Sequence, residues 1–219
     1  MTPPVDPRQF IRANTALEAP AMVREFSLYL ATEITPIWQA TEAMLERIGI
    51  DPPYWAFCWP GGQALARHVL DHPELVAGRT VLDFAAGSGV AALAARRAGA
   101  KRAIANDIDA MSLLACELNA AANGLTLDCD GRDLLALEPE RAIDVVLAGD
   151  VCYEKPMAER VFAWLRKNAA AGKLVLLGDP GRNYLPTQGL AEIARYDIPT
   201  SLQLENRGMK ETVVWRVLG

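Results

Sequence analysis

Several things are missing from this 219-residue chain, and each absence narrows the reading. No apolar run reaches the roughly 18 residues that a membrane-spanning helix needs, so no membrane span is expected. Four cysteines are present, Cys58, Cys116, Cys129 and Cys152, but no two form a Cys-x-x-Cys pair. All four fall in apolar sequence, which points to reduced, buried thiols in a cytoplasmic protein. Positive charge is scarce: 22 Lys and Arg face 27 Asp and Glu, a net of −5, which argues against general binding to nucleic-acid phosphate. The two histidines, His68 and His72, are four apart, yet no Glu follows the first and no third ligand is evident, so no metal is expected. The opening MTPPVDPRQF has neither the apolar core of a signal peptide nor the Arg-rich pattern of a transit helix, and cytoplasmic localisation is expected. There is no internal repeat. What remains is 51% apolar and 22% charged residues, the balance of one soluble globular domain.

The pattern changes near residue 78. Residues 1–77 read as a helical extension and a cofactor-covering segment, with helices over 21–33 and from Pro36 to Gly49, and a third over QALARHVLDH. Between them lie a breaker, Asp51-Pro52-Pro53, and the aromatic stretch YWAFCWPGG. Residues 78–219 read as the core. Strands RTVLDFA, KRAIAND, LTLDCD, AIDVVLAGD and KLVLLGDP alternate with helical patterns, including KPMAERVFAWLRKNAA. Such alternation implies right-handed crossovers and a mostly parallel sheet. PTSLQLE and ETVVWRVL flank NRGMK and suggest a C-terminal antiparallel hairpin. The fold class is α/β: a seven-strand, Rossmann-like sheet.

The first core strand runs into Asp83-Phe84-Ala85-Ala86-Gly87-Ser88-Gly89. Gly87 and Gly89 permit a sharp turn and close approach of a ligand. The second strand ends Asn106-Asp107, about twenty residues on, the spacing of an acid that binds ribose hydroxyls. The glycine loop also fits a dinucleotide fingerprint, but Asp83 would face a pyrophosphate with the wrong sign. It suits a ligand with a positive end. S-adenosylmethionine (SAM) carries an ammonium, a sulfonium and a ribose, and Asp83 and Asp107 match the first and last. In GRDLL, Asp133 and Leu134 follow the third strand, where Asp133 is placed to accept from the adenine amine. The alternative for these acids, and for Asp133 above all, is loop capping.

The fourth strand ends Asp150-Val151-Cys152-Tyr153-Glu154. Methyl transfer to an amine is an in-line displacement in which the enzyme chiefly positions the nucleophile. Asp150 is suited to orient an incoming amine and Tyr153 to supply a ring wall and a hydroxyl; the alternative makes Asp150 the N-cap of the next helix and Tyr153 a packing residue. Asp150→Ala is then expected to abolish transfer while largely sparing the fold. Asp51-Pro52-Pro53-Tyr54 spells a signature of amino-methylating DNA enzymes, but the residues before it are helical and charged, whereas that signature ends a buried strand. A nucleic-acid or small-molecule methyltransferase is therefore the alternative reading, not the main one. In Trp59-Pro60-Gly61-Gly62-Gln63, Trp59 offers an aromatic face to a sulfonium or adenine, with Gln63 beside it, as a lid over the cofactor. Packing against the sheet is the alternative for Trp59 and the preferred reading for Trp55. Asp179 and Arg182, after the fifth strand, would lie beside the acceptor pocket and contact substrate; a salt bridge between the two is the alternative.

PYWAFCWPGGQALAR (53–67), VLDFAAGSG (81–89), IANDID (104–109) and GDVCYE (149–154) resemble segments of the electron-transfer-flavoprotein β-subunit lysine methyltransferases, a branch of the seven-strand protein-lysine methyltransferases. LLGDPGR (176–182), the terminal TVVWRV and the N-terminal PIWQATE extend the likeness over most of the chain. The resemblance implies a class I SAM-dependent fold and protein-lysine methylation. Its targets would be the flavoprotein β subunit and, for bacterial members, also ribosomal stalk protein. By the same resemblance the group's Asp-x-x-Tyr element falls on Asp150 and Tyr153, its SAM-contacting tryptophan on Trp59, its cofactor loop on Asp83, Gly87 and Gly89, and its ribose acid on Asp107. An animal member would carry a mitochondrial leader, which MTPPVDPRQF does not resemble; a bacterial member is expected.

Overall fold

The computed structural model describes residues 6–31, 52–200 and 208–219. Helix α1 (Pro7–Asn14) opens the chain, with the Asp6 side chain accepting from Arg8 N at its N-cap. Strands β1 (Ala16–Glu18) and β2 (Leu28–Leu30) then pair antiparallel. The helix expected over 21–33 is therefore not formed in its described part. Val23, Phe26 and Leu28 are buried in the main core. The backbone N–H groups of Ser27 and Tyr29 donate to the side chains of Asn123 and Asn119, at 2.9 and 2.7 Å. Partners distant in sequence thus take donors that a helix would have used internally. The helix expected from Pro36 to Gly49 lies outside the described residues.

A single 3₁₀ turn (Tyr54–Ala56) leads into α2 (Pro60–Asp71). Then come β3 (Thr80–Phe84), α3 (Val90–Arg97), β4 (Arg102–Asn106), α4 (Ala110–Ala122), β5 (Asp128–Asp130), β6 (Val145–Gly149), α5 (Lys155–Ala170), β7 (Leu174–Asp179), β8 (Leu190–Pro199) and β9 (Met209–Val217). The seven-stranded sheet has the order β5-β4-β3-β6-β7-β9-β8. Its first five strands are parallel, and β9 runs antiparallel to both β7 and β8. The hairpin is present, but its first strand comes earlier than PTSLQLE suggested. A bulge between Glu192 and Ala194 shifts the two-residue period and hides the strand from a pattern reading.

Strand alternation divides the apolar residues between two cores. Val81, Val145, Leu147, Leu176 and Val214 face the side of α2 and α3. Leu82, Phe84, Val146, Ala148, Val175 and Leu177 face α5, where Phe84 meets Trp164. With both faces covered, the central strands read as short continuous apolar runs. No helix among the described residues is long and apolar enough to cross a membrane.

Candidate active site

The chain turns back on itself at β3, which has β4 on one side and β6 on the other. In an open parallel sheet this switch point leaves a crevice at the carboxyl ends of the strands. Asp83, Asp107 and Asp150 all sit on that edge, and Asp179 ends the neighbouring β7. Beyond β3 the loop passes through Ala85, Gly87 and Gly89, all with positive φ (53°, 51° and 76°). A Cβ on Gly89 would lie 2.8 Å from the Cys116 sulfur, so this glycine serves the packing of α4 against the loop. Gly87 is held by the Asp107 carboxylate, which accepts from its N–H at 3.0 Å and from Asp109 N at 3.0 Å.

Asp83 is buried, and its carboxylate accepts from Ala92 N at 2.9 Å, in the first turn of α3. Burial pushes its acid up to about 8, the hydrogen bond opposing and the neighbouring Asp107 adding. Asp107 is raised as well, again chiefly by burial. Burial thus disfavours the charged form of both acids, and a cationic ligand in the crevice would favour it. Asn106 is buried, and its amide donates to Asp130 O and Arg132 O at 2.8 and 3.0 Å, which pins the β5 loop. Asp133 caps the 3₁₀ turn Leu134–Ala136 by accepting from Leu135 N and lies 3.7 Å from the Arg160 guanidinium. For Asp133 the capping alternative is the geometry observed. Leu134 is buried in the α5-side core, and Ser88, also buried, gives its carbonyl to Asn119.

Asp150 has φ 56° and is only 8% exposed. It does not cap the helix that follows it; Glu154 stands at that N-cap. Its carboxylate instead caps α2, 89 residues back: Gly61 N donates to Oδ2 at 2.5 Å and Gly62 N at 3.3 Å. Oδ1 accepts from Arg182, Nη2 at 2.8 Å and Nε at 3.3 Å. The glycines make this possible. A Cβ on Gly61 would sit 2.2 Å from Gly178 O, one on Gly178 2.3 Å from Gly61 O, and one on Gly149 2.8 Å from Gly62 N. The WPGG turn therefore lies backbone to backbone on the ends of β6 and β7. The expectation that Asp150→Ala spares the fold must be revised: that change strips a cap and removes the carboxylate that Arg182 pairs with. A loss of about 2–4 kcal/mol is expected. Asp150→Asn keeps an acceptor for Gly61 and tolerates the positive φ, so its loss should be smaller; urea unfolding of the two variants measures the difference.

Asp179 is buried, and Oδ1 accepts from Gly181 N at 2.7 Å and Arg182 N at 2.6 Å. These two bonds shape the turn that carries Arg182. Arg182's side chain pairs with Asp150, so the alternative of a bridge to Asp179 is not what forms. Gln63 links Cys58 O to Met22 N through its amide and ties the N-terminal hairpin to α2. Trp55 is buried among Ile11, Phe57 and Leu118. Trp59 donates its indole N–H to Tyr54 O at 3.0 Å, and the Arg182 guanidinium lies 5.8 Å from its ring centre. Tyr54 stands 6.2 Å from Trp59 and 5.8 Å from Tyr153, so the three rings form one wall. Tyr153 is 44% exposed, and its hydroxyl is pushed up to about 12, first by burial and then by Tyr54. At neutral pH it is a phenol, a donor and not a base.

Two residues of interest escaped the sequence reading. Tyr54 stands in the aromatic stretch and in the DNA-enzyme signature, with no site role of its own expected there. Ile108, directly after Asp107, is 77% exposed, more than any other large apolar side chain among the described residues. Its signal was an isoleucine between two acids. No cluster of metal-binding side chains occurs among the described residues.

Residues 63–152 match a family model described as ribosomal protein L11 methyltransferase. Among solved structures, the chain is similar to a ribosomal protein L11 methylase from Lactobacillus delbrueckii subsp. bulgaricus, with a TM-score of 0.50 at 21% identity over 73% of this chain and 79% of that one. It is also similar to a magnesium protoporphyrin IX methyltransferase from Synechocystis PCC 6803 with bound SAM, with a TM-score of 0.53 at 17% identity over 72% and 78%. These likenesses establish the class I methyltransferase fold. Sequence relatives go further. The electron transfer flavoprotein beta subunit lysine methyltransferase of Danio rerio is 37% identical over 96% of this chain and 83% of its own. The human protein of that name is 35% identical over 95% and 80%. With such identity along nearly its whole length, the chain belongs to the electron transfer flavoprotein beta subunit lysine methyltransferase family.

Proposed function

We propose that the chain transfers methyl groups from SAM to lysine amines of the electron transfer flavoprotein β subunit. The observation that carries this reading is the buried Asp83 and the partly buried Asp107 beside the glycine loop, with the Asp150 carboxylate at the end of the neighbouring β6 and three aromatic rings beyond it. Asp83, raised to about 8 by burial, fits a ligand with an ammonium, and Asp107 fits a ribose. SAM, when bound, supplies an electrophilic methyl group on a sulfonium. The chain supplies position. Trp59, Tyr54 and Tyr153 wall the approach, and Asp150 attracts the amine to the end of β6. A lysine ammonium must first lose its proton. Tyr153 remains protonated and cannot take it, so the proton leaves to water, which reaches the half-exposed rings. The amine lone pair then forms the N–C bond as the C–S bond breaks.

The test uses the purified chain, SAM and intact flavoprotein, read by intact mass. A gain of one or more methyl units on the β subunit is the expected outcome. No gain, with SAM bound, overturns the substrate assignment; a gain on ribosomal stalk protein instead keeps the reaction class and changes the target.

A further inference from the structure

The geometry points to Arg182 as an internal occupant of the acceptor's cation site, so that a substrate amine binds by exchange with the guanidinium. The inference rests on the methyl-transfer reading above. The two oxygens of Asp150 do different work. Oδ2 is committed to Gly61 and Gly62 at the start of α2, and Oδ1 faces Arg182. The same guanidinium lies over the Trp59 ring, and from Trp59 the wall of rings runs through Tyr54 to Tyr153. A carboxylate floor with aromatic walls is the environment that an alkylammonium seeks. Here it is already built, and the chain's own cation stands at its inner end.

Two features make the occupant exchangeable. The backbone of Arg182 is fixed by the Asp179 carboxylate through Gly181 N and Arg182 N, so the side chain can swing while the turn stays in place. The Arg182 side chain is also one-fifth exposed, whereas Asp150 is half as open. A carboxylate so buried cannot be left without a cation at small cost. Opening is therefore favoured only when another positive group arrives, and a neutral acceptor would not displace the latch. Arg182 is a positioning and specificity residue in this scheme. It keeps Asp150 aligned between turnovers and selects acceptors that enter as cations.

The probe is n-butylammonium, a lysine side chain without its backbone, titrated into the whole chain. Arg182→Gln should bind it about tenfold more tightly than the wild type, the factor expected when a site is open only about a tenth of the time. A purely structural ion pair predicts the reverse, because its loss would disorder Asp150. Equal or weaker binding by the variant, or none, overturns the exchange. The second measurement needs no loss of charge. In the wild type, the Arg182 Nε–H signal, assigned with Arg182→Lys, should shift along the same saturation curve as amine binding. Amine binding that leaves this signal unmoved also overturns the proposal, and it decides the matter should Arg182→Gln fail to fold. Methylated flavoprotein without exchange refutes the latch alone. Exchange without methylated flavoprotein refutes the substrate assignment alone.

Discussion

Gly178→Ala is expected to remove about 3 kcal/mol of stability and methyl transfer with it. The new Cβ would lie 2.3 Å from Gly61 O, a backbone atom that no rotamer change can move aside. Either α2 lifts from β6 and β7, or β7 bends. In both cases Gly61 and Gly62 leave the Asp150 carboxylate, and the acceptor end of the site loses its alignment. For a chain of this length the melting temperature should fall by roughly 6–12 °C. Gly208→Ala is the control. Its Cβ meets nothing within 4 Å, and its effect should stay within about 0.5 kcal/mol. A Gly178→Ala variant as stable as this control would show that the backbone contact is not tight.

The second large effect concerns Asp83→Asn, and it has two signs. Binding of SAM should weaken by about 10- to 100-fold, because a charge-assisted partner for the ammonium is lost. Stability without ligand should rise at alkaline pH. The carboxyl of Asp83 has its ordinary 3.8 in the unfolded chain and about 8 in the folded one. Between those values the folded state holds the extra proton, so stability is greatest near the acid end and declines as pH rises toward 8. Thermal melts of the wild type should show that decline, and Asp83→Asn should flatten it. A bound cation reverses the preference and ionises Asp83. Titration of SAM at pH 7 in two buffers of different ionisation heat should therefore report net proton release in the wild type and much less in the variant. Equal release in both would place the proton elsewhere.

Strands β3, β4, β6 and β7 were legible because they are buried on both faces and appear as short apolar runs. Helix α5 announces itself at Lys155-Pro156 and ends as the pattern suggests. The segment 21–31 misleads because its backbone N–H groups at Ser27 and Tyr29 donate to Asn123, at the C-cap of α4, and to Asn119 within it. Local periodicity contains no trace of a partner 90 residues away. The same limit applies at the site. That acids gather at one sheet edge follows from topology. That Asp150 caps α2 and pairs with Arg182, and that Asp179 serves a turn, follows from which backbones meet. Two segments of the resemblance, WPGGQAL and GDPGR, owe their coupling to one crossing of glycines.

Among the described residues the sheet ends at β5 and β8, and these two edges bear on how the protein behaves when concentrated. At one side β5 has only three residues, two of them Asp, and Asp128 pairs with Arg102 of the neighbouring strand. At the other side β8 is long, but it is bent by its bulge and carries Glu192, Arg195 and Asp197, with Arg195 bridging to Glu192 and Glu211. A strand from a second molecule would have to match a kinked ladder and bury these charges. Edge-to-edge growth into larger aggregates is thus opposed at both ends, and the crowding that drives other exposed sheets to polymerise finds no template here.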